Sequence, residues 1–341
     1  MMRWPAISTL FWAVLAGVLL WPVFNWGVLH AIWGADLEAC RAARGVGACW
    51  GVIAEKHRLL LFGRYPFAEQ WRALLATLLI LSLFGLAAWR RYQQPRFIGV
   101  GLVGILLAVG LMHGGVFGLA SVPTKLWGGL PLTLLVSLGG TLLAFPLAIL
   151  LAVGRRSRLP LVRSLCAAYI ELIRGVPLIS LLFMAAFLFP LMLPAHWRPD
   201  ILPRVIVTIA AFAAAYLAEV IRGGLQAVPP GQLAAAQALG MRTWQALAFV
   251  VLPQALRAAL PALVNSFVGI FKDSSLISIV SLHELTGALS LSLGGDADWR
   301  SFYLEGYLFI AFIYWICCFS LSRAARRLEQ RLGSSRSTAP A

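Results

Sequence analysis

The apolar positions of this chain do not alternate with the period of two or 3.6 residues that marks a half-buried element. They run in long unbroken blocks divided by short turns rich in Arg, Pro and polar residues. A helix crosses about 30 Å of hydrocarbon with about 20 residues, at 1.5 Å each. On that measure the blocks predict eight spanning helices, over residues 7–30, 72–89, 97–119, 130–153, 170–194, 204–221, 258–281 and 303–322. The first block carries no charged residue from Pro5 to Ile32 and ends without an Ala-x-Ala site. It is therefore too long for a secretory signal, whose apolar region is about 7–15 residues, and a retained helix is predicted.

Composition supports this reading. With 60% hydrophobic and 12% charged residues, and a mean hydropathy of +0.84, no water-soluble core of 341 residues fits, and the fold class predicted is all-α integral membrane. The net charge of +15 concentrates on alternate connections, in clusters such as Arg90, Arg91 and Arg96, Arg155, Arg156, Arg158 and Arg163, and Arg323, Arg326 and Arg327. Excess Arg on one side places both termini in the cytoplasm by the positive-inside rule. The basicity then reports orientation and anionic lipid neighbours, and nucleic acid drops out as a partner.

Catalytic chemistry finds little support. None of Lys56, Lys125 and Lys272 follows a glycine, so there is no phosphate loop of the G-x-x-x-x-G-K-[ST] kind. No C-x-x-C occurs, and no His pairs at i,i+4 with a Glu, so no metal site, cofactor or enzymatic activity is expected in this chain. Cys40 and Cys49 share the first outer loop, about 31–71, as a candidate disulfide or as two free thiols. His113 lies among closely spaced glycines that suit helix packing.

The longest cytoplasmic connection, 222–257, carries a pattern. After Pro229-Pro230-Gly231, the Ala-rich stretch Gln232 to Leu239 favours a short helix that Gly240 can end. Thr243 can start a second helix running toward Pro253. GQLAAAQALGM followed by VLPQALR resembles the Glu-Ala-Ala loop of permease subunits in binding-protein-dependent ABC importers. YIELIRGVPLI (169–179), AYLAEVIRGGLQAVPPGQ (215–232) and LVNSFVGIFKDSSLISIVSLHEL (263–285) resemble its polar-amino-acid branch. The resemblance implies a coupling helix over 231–242 that docks on a separate ATPase. ATP would be bound there and not in this chain, and the contacts would fall at Gln232, Ala234, Ala235, Gly240 and Pro253. It also implies two ATPase subunits, a second permease subunit, a periplasmic amino-acid-binding protein and a bacterial inner-membrane location.

Ala234 stands where the family usually has Glu, which points to a heterodimer whose other permease keeps the Glu. The family core has five spans, expected here over 123–330, with three added helices in 1–122 and a disordered tail over 331–341. That layout, with LLFMAAFLFPLMLP (181–194), resembles permeases of general L-amino-acid or glutamate/glutamine/aspartate uptake in Gram-negative bacteria. A stand-alone ion-coupled transporter is the alternative, though internal repeats are lacking.

Ionisable groups at membrane depth are functional suspects. Asn265, Lys272, Asp273, Ser274 and Ser275 in the seventh span either line a substrate path or, through Lys272 and Asp273, pair internally. Glu171 and Arg174, and Glu219 and Arg222, are i,i+3 pairs at the inner ends of two spans. They serve either as local ion pairs or, through Glu219 and Arg174, as a cytoplasmic gate.

Overall fold

A computed structural model describes residues 4–87, 98–116, 118–194, 196 and 198–333. Its helices are α1 (Trp4–Phe24), α2 (Leu37–Ala42), α3 (Gly51–Phe62), α4 (Gln70–Ala87), α5 (Ile98–His113), α6 (Gly129–Gly154), α7 (Pro160–Gly175), α8 (Leu178–Phe183), α9 (Phe189–Met192), α10 (Ile201–Ala227), α11 (Pro230–Ala238), α12 (Thr243–Ala246), α13 (Leu252–Asp273), α14 (Leu285–Gly294) and α15 (Tyr303–Gly333). Among the described residues there is no strand, only two isolated bridges. Five helices are long and apolar enough to cross a membrane, or six if the bent pair α7 and α8–α9 is one span. Each of the eight predicted blocks is mainly helical in its described part, but in the block 97–119 the helix ends at His113 and is only a shorter apolar helix. Arg90, Arg91 and Arg96 lie outside the described residues, as does the expected tail beyond Gly333.

One departure from the predicted segmentation has a local cause. The block 170–194 is not one straight span, because the chain bends by 100° between Gly175 and Leu178. Pro177 excludes the α conformation at Val176, which is extended at φ −106° and ψ 133°, so α7 ends there as a separate helix. The chain forms two compact units. One comprises Met1–Leu60 with Leu289–Ile313, and the other Leu61–Ala288 with Tyr314–Ala341.

In the larger unit α6 and α10 pack side by side, and α10 also packs on α13. Close approach needs small residues. A Cβ at Gly140 would stand 2.8 Å from the Ile209 side chain, and one at Gly224 would stand 2.4 Å from the Ala255 carbonyl. Leu132, Val136, Leu182, Ile209, Leu217 and Ile277 form the buried centre of this unit. Arg72, fully buried on α4, is satisfied by the Leu111 and Ala120 carbonyls at 2.8 and 2.9 Å and by Glu69 at 3.0 Å. It thereby caps the end of α5.

In the smaller unit a disulfide joins Cys40 to Cys49. Asp36 starts α2 by accepting the Glu38 and Ala39 N–H groups at 3.0 and 3.1 Å. Ion pairs from Arg41 to Asp298 and from Lys56 to Asp296 (2.8 Å) fasten this segment to the turn before α15. The Cys49 N–H adds a 3.0 Å bond to Glu305 in the first turn of α15.

Candidate coupling surface and polar path

The cytoplasmic loop folds as its composition requires. Pro230 opens α11, and Gly240 ends it at φ +84°, a left-handed conformation that costs glycine little. The Gly240 N–H reaches the Gln237 carbonyl at 2.9 Å, and the Met241 N–H reaches Ala236 at 3.2 Å. Ala234 and Ala235 are exposed while Ala236 turns inward, so α11 presents a thin outer edge. Gln232 is not free. Its side-chain oxygen accepts from Gln254 Nε2 at 3.1 Å, which ties α11 to the start of α13.

Thr243 is the first residue of α12 and not its cap, as the sequence had predicted. Arg242 precedes the helix, and its N–H is taken by Gln245 Oε1 at 2.9 Å. A π turn, Leu247–Val251, joins α12 to α13 ahead of Pro253, which has no N–H to donate to the preceding turn. Leu239, Trp244 and Phe249 are exposed around this loop, a large apolar surface on a protruding element.

Along α13, Asn265 and Lys272 are seven residues apart and so share a face, and Ser266 and Asp273 share the adjoining one. Asn265 and Lys272 are exposed, and Asp273 is half-buried. Among the described residues neither Lys272 nor Asp273 has an ion-pair partner within 4 Å, so the internal Lys272–Asp273 pair does not form. Adjacent residues on a helix point about 100° apart, which explains their separation. Ser274 turns inward, fully buried, with its hydroxyl donating to the Phe271 carbonyl at 2.7 Å. Ser275 is half-buried, its carbonyl accepting from Ser278 at 2.9 Å.

At the cytoplasmic end, Glu219 and Arg222 pair at 2.8 Å on α10, as their spacing predicts. Glu171 does not bond Arg174. It pairs at 2.8 Å with Arg155, which also holds Glu219 at 2.6 Å, so one guanidinium at the end of α6 spans two carboxylates on α7 and α10. Arg174 instead lies over the Tyr216 ring, 5.5 Å from its centroid, so Arg174 and Glu219 do not meet. Sequence reasoning missed Arg155 because an arginine ending a span reads only as an orientation signal.

A second unforeseen group follows the end of the α13 segment. Glu284 is fully buried. Its carboxyl accepts from the Tyr314 hydroxyl at 2.8 Å and the Gly287 N–H at 2.9 Å, with Thr133 Oγ1 at 3.4 Å. Burial raises its pKa above the usual glutamate value, with the hydrogen bonds acting in the opposite sense. The adjacent His283 is pushed down by burial and by Arg64.

A thin alanine helix closed by a positive-φ glycine, on a loop leading into a polar-faced span, is the arrangement the sequence resemblance implies. Residues 144–334 match the family described as the inner membrane component of binding-protein-dependent transport systems. The chain belongs to this family.

A binding-protein-dependent transport permease is a multi-pass inner-membrane component that works with ATPase subunits and a binding protein, and its family is one of transport components and not of enzymes. The stand-alone ion-coupled alternative has no support in this membership. The inner membrane amino-acid ABC transporter permease protein YhdY of Escherichia coli K12 is 41% identical over 325 residues, covering 93% of this chain and 88% of that protein. The glutamate/glutamine/aspartate/asparagine transport system permease protein BztC of Rhodobacter capsulatus is 34% identical over 370 residues, covering 89% and 85%. Among solved structures, a crystal structure of an amino acid ABC transporter with histidines is 30% identical over 60% of this chain and 92% of that one, with a TM-score of 0.53.

Proposed function

We propose that this permease carries polar L-amino acids inward as one half of a heterodimer. Amino-acid permeases among its relatives support the substrate class, and Ala234 in place of the usual Glu supports an unlike partner. The observation that carries the reading is the polar face of α13. Among the described residues Asn265, Lys272 and Asp273 lie in a span without a side-chain ion pair or hydrogen bond, on the same helix that rises from the coupling loop. Unpaired charge at membrane depth is costly unless water or a substrate reaches it. Asn265, Lys272, Asp273 and Ser275 therefore line the path, and the buried Ser274 shapes the helix end behind them.

ATP binding and hydrolysis close and open the ATPase pair, and α11 passes that movement to α10 and α13, giving alternating access. Gln232, Ala234, Ala235, Gly240 and Pro253 belong to this coupling surface. Arg155 with Glu171, Glu219 and Arg222 braces the inner ends of α6, α7 and α10 as a cytoplasmic gate. No covalent chemistry occurs in this chain.

Uptake of labelled amino acids decides the matter. Lys272→Met and Asp273→Asn, at unchanged membrane levels, are expected to cut uptake at least severalfold, and unchanged kinetics would remove both residues from the path. Gly240→Asp is expected to abolish uptake. An affinity-tagged chain that brings down no ATPase would sink the coupling assignment.

A further inference from the structure

Helix α7 has three distinct sides. Ile170 is buried, and Tyr169 beside it donates its hydroxyl to the Ala211 carbonyl at 2.8 Å, so this side packs on the protein. Arg163, Ser164, Glu171 and Arg174 are exposed on a polar side. Leu161, Leu165 and Leu172 form the third side, exposed by 70%, 61% and 67%. Their spacing of i, i+4 and i+11 places them within about 40° of one another, as one stripe.

Neither water nor a transverse bilayer suits this helix. Sixteen residues reach about 24 Å, and the charges of Arg163, Glu171 and Arg174 would enter the hydrocarbon if it spanned. Because α7 bends 100° from Leu178–Met192, it runs along the membrane surface when that segment crosses. Charge indicates what covers the leucines. Glu171 is neutralised by Arg155, while exposed Arg158 and Arg163 have no side-chain ion pair or hydrogen bond among the described residues. At about 100° per residue Arg163 points about 180° away from the stripe, while the free guanidinium of Arg158 stands at the N-terminal end of α7, where it complements the anionic cytoplasmic leaflet.

We propose that α7 is an interfacial anchor. Leu161, Leu165 and Leu172 sink into the acyl boundary of the cytoplasmic leaflet, and Arg158 takes the headgroup of an anionic phospholipid. This rests on the inner-membrane location alone and stands whichever substrate the permease carries.

Photo-cross-linking in cells tests the occupant, with p-benzoylphenylalanine placed at position 165 of the full-length chain. Position 18 on α1, in an exposed apolar stretch, reports that lipid adducts form. The expected product at 165 is the chain carrying one phospholipid, seen as a phosphorus-containing mass increase. A product at twice the chain mass would assign the stripe to a second permease copy, and that result, another protein adduct or no adduct at 165 overturns the proposal. Headgroup recognition is read by hydrogen exchange of 160–175 in nanodiscs of phosphatidylcholine with and without phosphatidylglycerol. The anionic lipid is expected to slow exchange in the wild type, and R158Q is expected to lose about fivefold of that protection, the factor equivalent to ~1 kcal/mol for a basic residue at an anionic surface. Equal protection in both lipids refutes the assignment of Arg158.

Discussion

Glu284 is a fully buried carboxyl with no lysine or arginine within ion-pair distance among the described residues. A buried charge without a cation is disfavoured, so the raised pKa follows from the same geometry. Its contribution to stability is fully present below the ordinary value of 4.5 and is lost as the pH rises through the folded-state value. Glu284→Gln is expected to keep the fold and to flatten the pH dependence of thermal unfolding in detergent. Asp296 behaves oppositely. Its hydrogen bond to Lys56 lowers its pKa, so that contribution is present above the ordinary 3.8 and disappears only as the pH falls through the lowered value. Lys56→Met is therefore expected to destabilise equally at pH 6 and pH 8. Arg155→Met leaves Glu171 without its ion-pair partner and Glu219 with Arg222 alone, and a loss of about 1 kcal/mol is expected in the same unfolding measurement, moderated by partial exposure.

Single residues also set where elements begin, end and touch. Gly240 holds a φ of +84°, and nothing crowds its Cβ position, so Gly240→Ala tests backbone conformation alone. A cost of about 1 kcal/mol is expected from the left-handed geometry, with a larger fall in uptake than in thermal stability because α11 is the proposed coupling element. Gly140→Leu, by contrast, is expected to prevent the α6–α10 contact and to deplete the protein from membranes, read by quantitative blotting. The bend after α7 belongs to this scale too. Pro177 is visible in the sequence, yet hydropathy alone continues through it, because residues 170–194 are apolar enough to read as one span. The local backbone restriction wins over the apolar run, and α7 becomes free to lie beside the membrane.

Across the molecule, the disulfide closes the N-terminal segment on itself, and the ion pairs at Asp296 and Asp298 hold that segment to Leu289–Ile313 as one compact unit. Replacing Cys40 and Cys49 with serine is expected to cost roughly 2–3 kcal/mol, the loop-closure term for a separation of 9 residues. The measurement is thermal unfolding with and without reductant, where only the wild type is expected to respond. The membrane class, the helical blocks, the two short helices of the loop 222–257 and the family were all legible in the sequence, because hydrocarbon thickness and glycine or proline geometry act on consecutive residues. Alignment of Asn265 with Lys272 was legible for the same reason, since seven residues return a helix to its starting face. Tertiary structure alone decided that Arg155 gathers Glu171 and Glu219, and that Glu284 is shut between Thr133 and Tyr314. Those relations join groups from 16 to 151 positions apart, and only the packing of helices brings such distant side chains within reach.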